Sequence, residues 1–333
     1  MRNPGMTPVS IVTGFLGSGK TTLIARLLRD PAFARTAVIV NEFGEIGLDH
    51  ELIASGDETF LTLTTGCLCC AVRSDLIETL SDLHRRAGGS FDRVLIETSG
   101  LADPAPILHA LMTGHAVAAT HVIDTMVTVV DPIHAEATLD RHPEARRQVA
   151  LADCLVFSKA DLALPGPSLR ARLSDLNPSA PRSDAAKADP AMLFAGADPM
   201  ARAARLDGKP DRLAASPFLR ARHTDGIETE SFRRARPLPA LALTLWLQAL
   251  TEHCGDRLLR VKGLVAIEEM PGQPAVIPVV RHVFSPPEFL VRWPSADTDS
   301  RLVFIFRDMP RHFPARLLNA IEEEVREELG AAR

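Results

Sequence analysis

The stretch GFLGSGKT, from residue 14 to residue 21, constrains the fold more than any other part of the sequence. It matches the phosphate-binding loop, in which glycines let backbone N–H groups point at phosphate oxygens. Such a loop joins a buried strand to a helix. The apolar run Val9–Thr13 precedes it, and Thr21–Arg29 follows with leucine and isoleucine at helical spacing. The pattern therefore predicts a nucleotide-binding domain.

The residue types of this loop predict separate roles. Lys20 is predicted to reach the β- and γ-phosphates and to stabilise the charge that develops during catalysis, and the Thr21 hydroxyl is predicted to ligate Mg²⁺. The other residues predicted to hold the phosphates are Gly14, Gly17, Ser18, Gly19 and Thr22.

Two further strand ends carry polar residues suited to a nucleotide. The apolar run Val94–Glu97 ends in a carboxylate, so Glu97 is predicted to act near the metal and the γ-phosphate. The run Leu155–Phe157 leads into SKAD, close to the NKxD motif, in which the Asp accepts hydrogen bonds from guanine and the Lys stem packs over the ring. Lys159 and Asp161 therefore favour GTP over ATP, although Ser158 replaces the usual Asn.

Strands and amphipathic helices alternate through residues 1–177, which predicts an α/β domain with a mostly parallel sheet covered by helices on both faces. Residues 178–221 are rich in Pro, Ala, Asp and Arg, and we interpret them as a loose connector. Residues 222–333 predict a smaller α+β domain.

Three of the five cysteines lie within four residues, at Cys67, Cys69 and Cys70. Thiolates suit Zn²⁺ or Cu(I), and three of them would leave one of about four tetrahedral positions open. The alternative is that these cysteines are small buried apolar residues, which is our interpretation of Cys154 and Cys254.

The segment Asn41–Asp49 follows a strand and lies between the two motifs, where a switch segment would be expected. Glu42 is predicted to contact Mg²⁺ or the attacking water, and Glu45 to reach the cysteine cluster. His115 is a further candidate metal ligand, although a lone loop histidine is more often solvated.

The amino-acid composition limits the kinds of partner that the protein is expected to bind. A net charge of −5 and the absence of Tyr argue against nucleic-acid binding, and no apolar run reaches the ~18 residues of a membrane span. The total number of cysteines is odd and three of them are clustered, which predicts a reducing, cytoplasmic setting. The sequence leaves homo-oligomerisation open.

Taken together, GFLGSGKTTL, NEFGEIGLD, GCLCC, VLIETSGLADP and SKAD resemble, in that order, the motifs of the CobW-like family of P-loop GTPases. The stretches LRVKG at 259–263 and RLVFI at 301–305 are similar to the second domain of that family. The resemblance implies a GTPase that binds a transition metal at Cys67, Cys69 and Cys70 and delivers it to a client metalloprotein.

The sequence does not decide which metal is bound, and it leaves other functions open. Zinc, cobalt and nickel all fit the resemblance, so a cobalt or nickel insertase is an alternative to a zinc chaperone. A second alternative is a P-loop ATPase or kinase in which the cysteines are structural. A third is a metal sensor that binds nucleotide without hydrolysing it. Where the family has an apolar strand, residues 181–189 read PRSDAAKAD, so that edge of the sheet is expected to fray.

Overall fold

The computed structural model describes residues 6–41, 60–62, 71–87, 91–194, 200, 203, 218–222, 226–280, 283–284, 287–310 and 312–331. The chain divides into two compact units, residues 1–173 with 180–198, and residues 174–179 with 199–333. The segment interpreted as a connector thus contributes residues 180–198 to the first unit. The predicted domain bounds at 177 and 222 stay a prediction.

The described residues of the first unit form a sheet of seven parallel strands. They are β1 Thr7–Thr13, β2 Thr36–Asn41, β3 Phe60–Thr62, β4 Arg93–Thr98, β5 His121–Val130, β6 Cys154–Phe157 and β7 Arg182–Asp184. Their spatial order is β3-β2-β4-β1-β5-β6-β7. Parallel neighbours need crossover connections, and helices supply them.

Helices lie between these strands and after β7. They are α1 Lys20–Leu28, α2 Ala71–Ala87, α3 Ala105–Thr113, α4 His115–Ala118, α5 Ala135–Arg141, α6 Pro143–Leu151, α7 Pro167–Leu176 and α8 Pro190–Leu193. The predicted α/β fold with a parallel sheet is confirmed.

Strand β1 lies in the middle of the sheet, and its side chains Val9, Ile11 and Val12 are fully buried. Val12 is in register with Glu97 of β4 on one side and with Val127 of β5 on the other. Because the strands are parallel, the carboxyl ends of β1, β4, β5 and β6 meet at one edge of the sheet. That edge is where polar residues of an α/β protein bind ligands.

The predicted fraying of the sheet after residue 177 is wrong. Residues 182–184 pair in register with residues 155–157 of β6. The N–H of Leu155 donates to the carbonyl of Pro181 at 2.9 Å, and the N–H of Ala185 donates to the carbonyl of Phe157 at 2.8 Å. An edge strand pairs with the sheet on one side only. Backbone hydrogen bonds hold β7 in place there, although the strand has no apolar side chains.

The described residues of the second unit form an antiparallel sheet with two long helices. The strands are β8 Phe218–Arg222, β9 Ile227–Arg234, β10 Leu258–Val265, β11 Ala275–Val280, β12 Val283–Phe284, β13 Glu288–Phe289 and β14 Ser300–Arg307. The helices are α9 Ala240–Cys254 and α10 Phe313–Ala331. Trp246 of α9 is fully buried, packs edge-on against Phe304 and donates from Nε1 to the carbonyl of Pro314 at 2.9 Å. The predicted α+β class of this region is confirmed.

Cys154 and Cys254 belong to the described residues, and both are buried. Cys154 of β6 packs into the core of the first unit and Cys254 into that of the second. Burial raises the pKa of the Cys254 thiol. Their interpretation as small apolar residues is therefore confirmed.

Every helix of the described ranges is too short or too polar to cross a lipid bilayer.

His121 opens β5 at the end opposite to the polar edge, and it is buried to 4% exposure. Its Nδ1 lies 2.8 Å from the hydroxyl of Thr120, and its ring meets that of His84 edge-on at 5.8 Å. Burial, and then the charge of His84, lower the pKa of His121 to about 4. The ring is therefore neutral in the folded chain at neutral pH.

This lowered pKa predicts a loss of stability in weak acid. The unfolded chain protonates His121 near pH 6.5, whereas the folded chain resists protonation until about pH 4. The free energy of unfolding should therefore fall, by on the order of 2 kcal/mol, as the pH drops through this interval. Urea unfolding of the wild type and of His121→Asn across this range measures it, with the exposed His253→Gln as the matched control. Equal pH slopes for wild type and His121→Asn would contradict the expectation.

Candidate functional site

The loop between β1 and α1 has a backbone that only glycine adopts readily. Gly14, Gly17 and Gly19 have φ values of +144°, +68° and +90°. A Cβ on Gly14 would lie 2.3 Å from the carbonyl oxygen of Val129, so β5 leaves no space for a side chain there. The loop ends at Gly19, which caps the first turn of α1. The glycine-rich loop and the positive end of α1 therefore meet at one place, an arrangement that suits an anion.

Lys20 and Ser18 lie within this loop. Lys20 is 8% exposed, and its Nζ donates to the carbonyl oxygens of Gly14 at 3.1 Å and Phe15 at 3.4 Å. The ammonium is thus held against the loop that would surround a phosphate. The Oγ of Ser18 is buried and has no hydrogen-bond partner among the described residues. Thr22, in the first turn of α1, is exposed.

Thr21 and Glu97 come from distant parts of the sequence and meet at the edge of the sheet. The hydroxyl of Thr21 donates to Oε1 of Glu97 at 2.8 Å. Glu97 is 6% exposed and lies at the end of β4. The next residue, Thr98, donates to the hydroxyl of Thr13 at 2.7 Å, which fixes β4 to the start of the loop. The structure therefore brings together the predicted magnesium ligand and the predicted carboxylate.

Residues 99–102 follow β4 and touch the loop directly. A Cβ on Gly100 would lie 2.5 Å from the backbone nitrogen of Leu16, so these two backbones are in close contact. Gln148 of α6 is buried, and its Nε2 donates to the carbonyl oxygens of Gly100 and Ala102, each at 3.0 Å. Gln148 therefore fixes this segment against the phosphate loop.

The SKAD stretch begins where β6 ends. The N–H of Ser158 donates to the carbonyl of Val130 at 3.0 Å, and Ser158 lies beside Gly19, whose added Cβ would be 3.3 Å from that of Ser158. Lys159 has a φ of +50° and its Nζ lies 2.7 Å from Oδ2 of Asp131. Asp161 is exposed. The SKAD loop is thus adjacent to the phosphate loop, as a base-reading segment must be.

A cavity of about 150 Å³ lies within the first unit beside the phosphate loop. It is bounded by the loop, the end of β5, helices α5 and α6, and Lys159. Both Ser18 of the phosphate loop and Lys159 of SKAD line it. Phe15 faces it and packs against His142, with ring centroids 4.4 Å apart. Residues of the phosphate loop and of SKAD thus line one cavity.

Several predicted residues lie outside the described part of the chain. These are Glu42, Glu45, Cys67, Cys69 and Cys70. His115 begins α4, but its side chain lies outside the description too. In the ranges that the structure describes, no three His, Cys, Asp or Glu side chains converge as metal ligands. The cysteine metal site stays a prediction from the sequence.

Sequence reasoning missed two residues that the structure places at this edge. Asp131 directly follows an apolar strand, as Glu97 ends one, so the rule that identified Glu97 could also have found Asp131. Gln148 has no comparable signal, because its importance depends on contacts with residues far away in the sequence.

Comparison with known families identifies both units of the chain. Residues 8–183 match the family model described as CobW/HypB/UreG, nucleotide-binding domain. Residues 227–325 match the model of the cobalamin synthesis protein CobW C-terminal domain. Together the two matches cover most of both units.

One curated relative and one solved structure are similar to this chain over more than nine tenths of its length, and a second relative is similar over about half of it. The zinc chaperone YjiA of Escherichia coli is 30% identical over 307 residues, which are 91% of this chain and 94% of that protein. The zinc chaperone CobW of Sinorhizobium is 39% identical over 188 residues, 48% of this chain and 52% of that protein. The crystal structure of Zn(II)-bound YjiA GTPase from Escherichia coli has a TM-score of 0.65 at 24% identity, with 95% of this chain and 99% of that chain covered.

The contact between Gly100 and Leu16 gives a test of the site. In Gly100→Ala the new methyl group must displace the backbone of the phosphate loop, and we expect the affinity for GDP to fall by about tenfold. Titration with a fluorescent GDP analogue measures it. Gly166→Ala is the matched control, because a Cβ at Gly166 meets open space. Wild-type affinity in Gly100→Ala would show that the loop does not need this contact.

Proposed function

Because this chain belongs to the CobW/HypB/UreG family of nucleotide-binding proteins, we propose that it is a GTP-hydrolysing metallochaperone. In this proposal Cys67, Cys69 and Cys70 bind zinc, and the protein delivers that metal to a client metalloprotein in a cycle driven by GTP. The observation that carries the GTPase part is the hydrogen bond between Thr21 and Glu97.

The residues around that bond suit a nucleotide with its magnesium ion. A threonine hydroxyl and a carboxylate 2.8 Å apart are hard oxygen donors of the kind that Mg²⁺ prefers. Thr21 and Glu97 would hold the ion, and Glu42 is a further candidate from the sequence. When bound, Mg²⁺ neutralises charge on the phosphate oxygens.

The phosphate loop supports a triphosphate as substrate. Gly14, Gly17 and Gly19 free the backbone to bend around the phosphates, and the buried hydroxyl of Ser18 lies in the same loop. Lys20 is held at its inner side, where its charge would stabilise the transferred phosphoryl group. Catalysis in this class is mainly positioning and charge stabilisation, and the phosphate loop and Lys20 would supply both.

Guanine as the base is supported by the location of SKAD. Its first residue, Ser158, is next to Gly19 of the phosphate loop, so a nucleotide held by that loop would extend toward Lys159 and Asp161. The exposed carboxylate of Asp161 can accept hydrogen bonds from the N1–H and the 2-amino group of guanine, both of which adenine lacks.

Zinc as the metal is supported by donor chemistry and by the relatives. Three closely spaced thiolates suit Zn²⁺. Two of the similar proteins are named zinc chaperones, and a third, 33% identical over 200 residues, is the zinc-regulated GTPase metalloprotein activator 1 of Saccharomyces cerevisiae. That match covers 52% of this chain and 47% of the yeast protein. A metalloprotein client is therefore the partner we propose.

The strand order supports coupling between nucleotide and metal. Strands β2 and β3 are parallel neighbours, so both end at the same edge of the sheet as the phosphate loop. In the sequence, Glu42 follows the end of β2, and the cysteine motif lies between the end of β3 and the start of α2. A γ-phosphate that contacts the first segment would thus act close to the second.

The role of Glu97 can be tested by removing its charge alone. Glu97→Gln keeps the size of the side chain and can still accept the hydrogen bond from Thr21, but it removes the negative charge that Mg²⁺ requires. We expect the rate of GTP hydrolysis to fall by about 100-fold, measured as phosphate release. The exposed Glu136→Gln is the control. Hydrolysis by Glu97→Gln at the wild-type rate would remove Glu97 from the proposed catalytic set.

Coupling is tested by measuring zinc affinity in the presence of each nucleotide. Zinc affinity is measured by competition with a chelator, first in the presence of GDP and then in the presence of a non-hydrolysable GTP analogue. We expect the two zinc affinities to differ by about fivefold or more. The difference should vanish in the Cys67/Cys69/Cys70→Ser variant. Cys254→Ala is the matched control, since that thiol is buried in the core of the other unit. Equal affinities with both nucleotides would contradict the coupled cycle.

A further inference from the structure

Asp131 follows the last residue of β5 and lies at the same sheet edge as the phosphate loop. Its side chain is buried, at 8% exposure. One carboxylate oxygen, Oδ1, accepts a hydrogen bond from the N–H of Ile133 at 2.9 Å, and Oδ2 accepts one from Nζ of Lys159 at 2.7 Å. One oxygen thus fixes the carboxylate to its own turn, and the other holds Lys159.

Lys159 is constrained through its backbone as well. Its φ of +50° is uncommon for a residue with a side chain. Its carbonyl accepts hydrogen bonds from the N–H groups of Leu162 at 2.9 Å and Ala163 at 3.1 Å, while the preceding Ser158 is bonded to Val130 of β5. The start of the SKAD loop is therefore attached to the end of β5 by the backbone and again by the ion pair.

This ion pair differs from those on the surface of a protein, which contribute little. The Asp131 carboxylate is nearly buried, and a buried charge is stable only with a partner. Both residues also line the cavity that Gly17 and Ser18 of the phosphate loop line. The pair is thus located beside the nucleotide site, where the position of the Lys159 side chain affects what that site can bind.

The hydrogen bond at the ammonium of Lys159 also affects where the methylene groups of that side chain lie. With Nζ hydrogen-bonded to Asp131, the methylene groups of Lys159 extend between that carboxylate and the SKAD backbone as an apolar surface. Such a surface suits the flat face of a purine ring. Without Asp131, the ammonium would gain freedom to turn toward solvent or toward the phosphates, and the apolar surface would lose its fixed position.

We propose that Asp131 is a positioning residue for nucleotide recognition, which fixes the Lys159 side chain so that its methylene stem packs on the purine base. The inference rests on the proposed function, in which the phosphate loop and SKAD hold the two ends of one nucleotide. It assigns a role in base binding to the residue that follows β5, which lies outside all of the sequence motifs.

The test compares a ligand that has a base with one that lacks it. Asp131→Asn keeps an oxygen for the N–H of Ile133 but removes the charge that holds Lys159. We expect its affinity for GDP to fall by about fivefold to tenfold, while its affinity for inorganic tripolyphosphate, which needs only the phosphate loop, stays within about twofold of wild type. Isothermal titration calorimetry measures both ligands. Asp140→Asn is the matched control, because Asp140 forms an exposed ion pair with Arg172 in the same unit.

A double-mutant cycle measures whether Asp131 and Lys159 affect GDP binding through their interaction with each other. Lys159→Met keeps an apolar stem but leaves the Asp131 carboxylate without its cation, so we expect weaker GDP binding. Asp131→Asn combined with Lys159→Met should bind GDP no more weakly than the weaker single variant, because both changes remove one interaction. Thermal unfolding of every variant shows whether lost affinity merely follows lost folding.

Each outcome has a separate meaning. Equal losses of GDP and tripolyphosphate affinity in Asp131→Asn, or additive effects in the cycle, would overturn the positioning role and leave the GTPase proposal intact. A wild-type protein that binds ADP as well as GDP would overturn the guanine assignment instead. In that case the ratio of purine nucleotide to tripolyphosphate affinity still decides whether Asp131 positions a stem for the ring.

Discussion

The site depends on how closely the phosphate loop approaches its two neighbouring strands. At Gly14 the loop backbone lies against the carbonyl of Val129 on β5, and at Leu16 it lies against Gly100 beyond β4. Neither contact leaves space for a Cβ. Because backbone contacts backbone on both sides, a shift of the loop would have to displace β5 or the segment after β4. Lys20 and Thr21 therefore start from a fixed position relative to Glu97, as electrostatic preorganisation requires.

The two ends of the proposed nucleotide site belong to different pairs of strands. The phosphate end is formed where β1 and β4 finish: Thr98 of β4 donates to Thr13 of β1, and Thr21 of α1 donates to Glu97 of β4. The base end is formed where β5 and β6 finish, and the pair of Asp131 and Lys159 joins those strands in the same way. Since β1 lies between β4 and β5, one central strand aligns both ends.

Local sequence patterns predicted the parts of this site that depend on local geometry. The glycines, Lys20 and Thr21 lie close together in the chain, and Glu97 and Lys159 are marked by the apolar strands before them. Gln148 could not be predicted, since it acts through carbonyl oxygens of Gly100 and Ala102 on another element. The edge strand β7 was missed because its backbone hydrogen bonds leave no apolar pattern in the sequence.

The metal end of the proposal depends on the order of strands at the other side of β4. The sheet runs β3-β2-β4-β1, so the strands that precede Glu42 and the cysteine motif are the next two beyond Glu97. In a coupled cycle, any change in zinc affinity caused by GTP requires an equal change in GTP affinity caused by zinc. Hydrolysis then gives this reciprocal equilibrium a direction, because it converts the triphosphate state to the diphosphate state. A metal taken up in one state would be released in the other, and the short path across adjacent strand ends would make that exchange local.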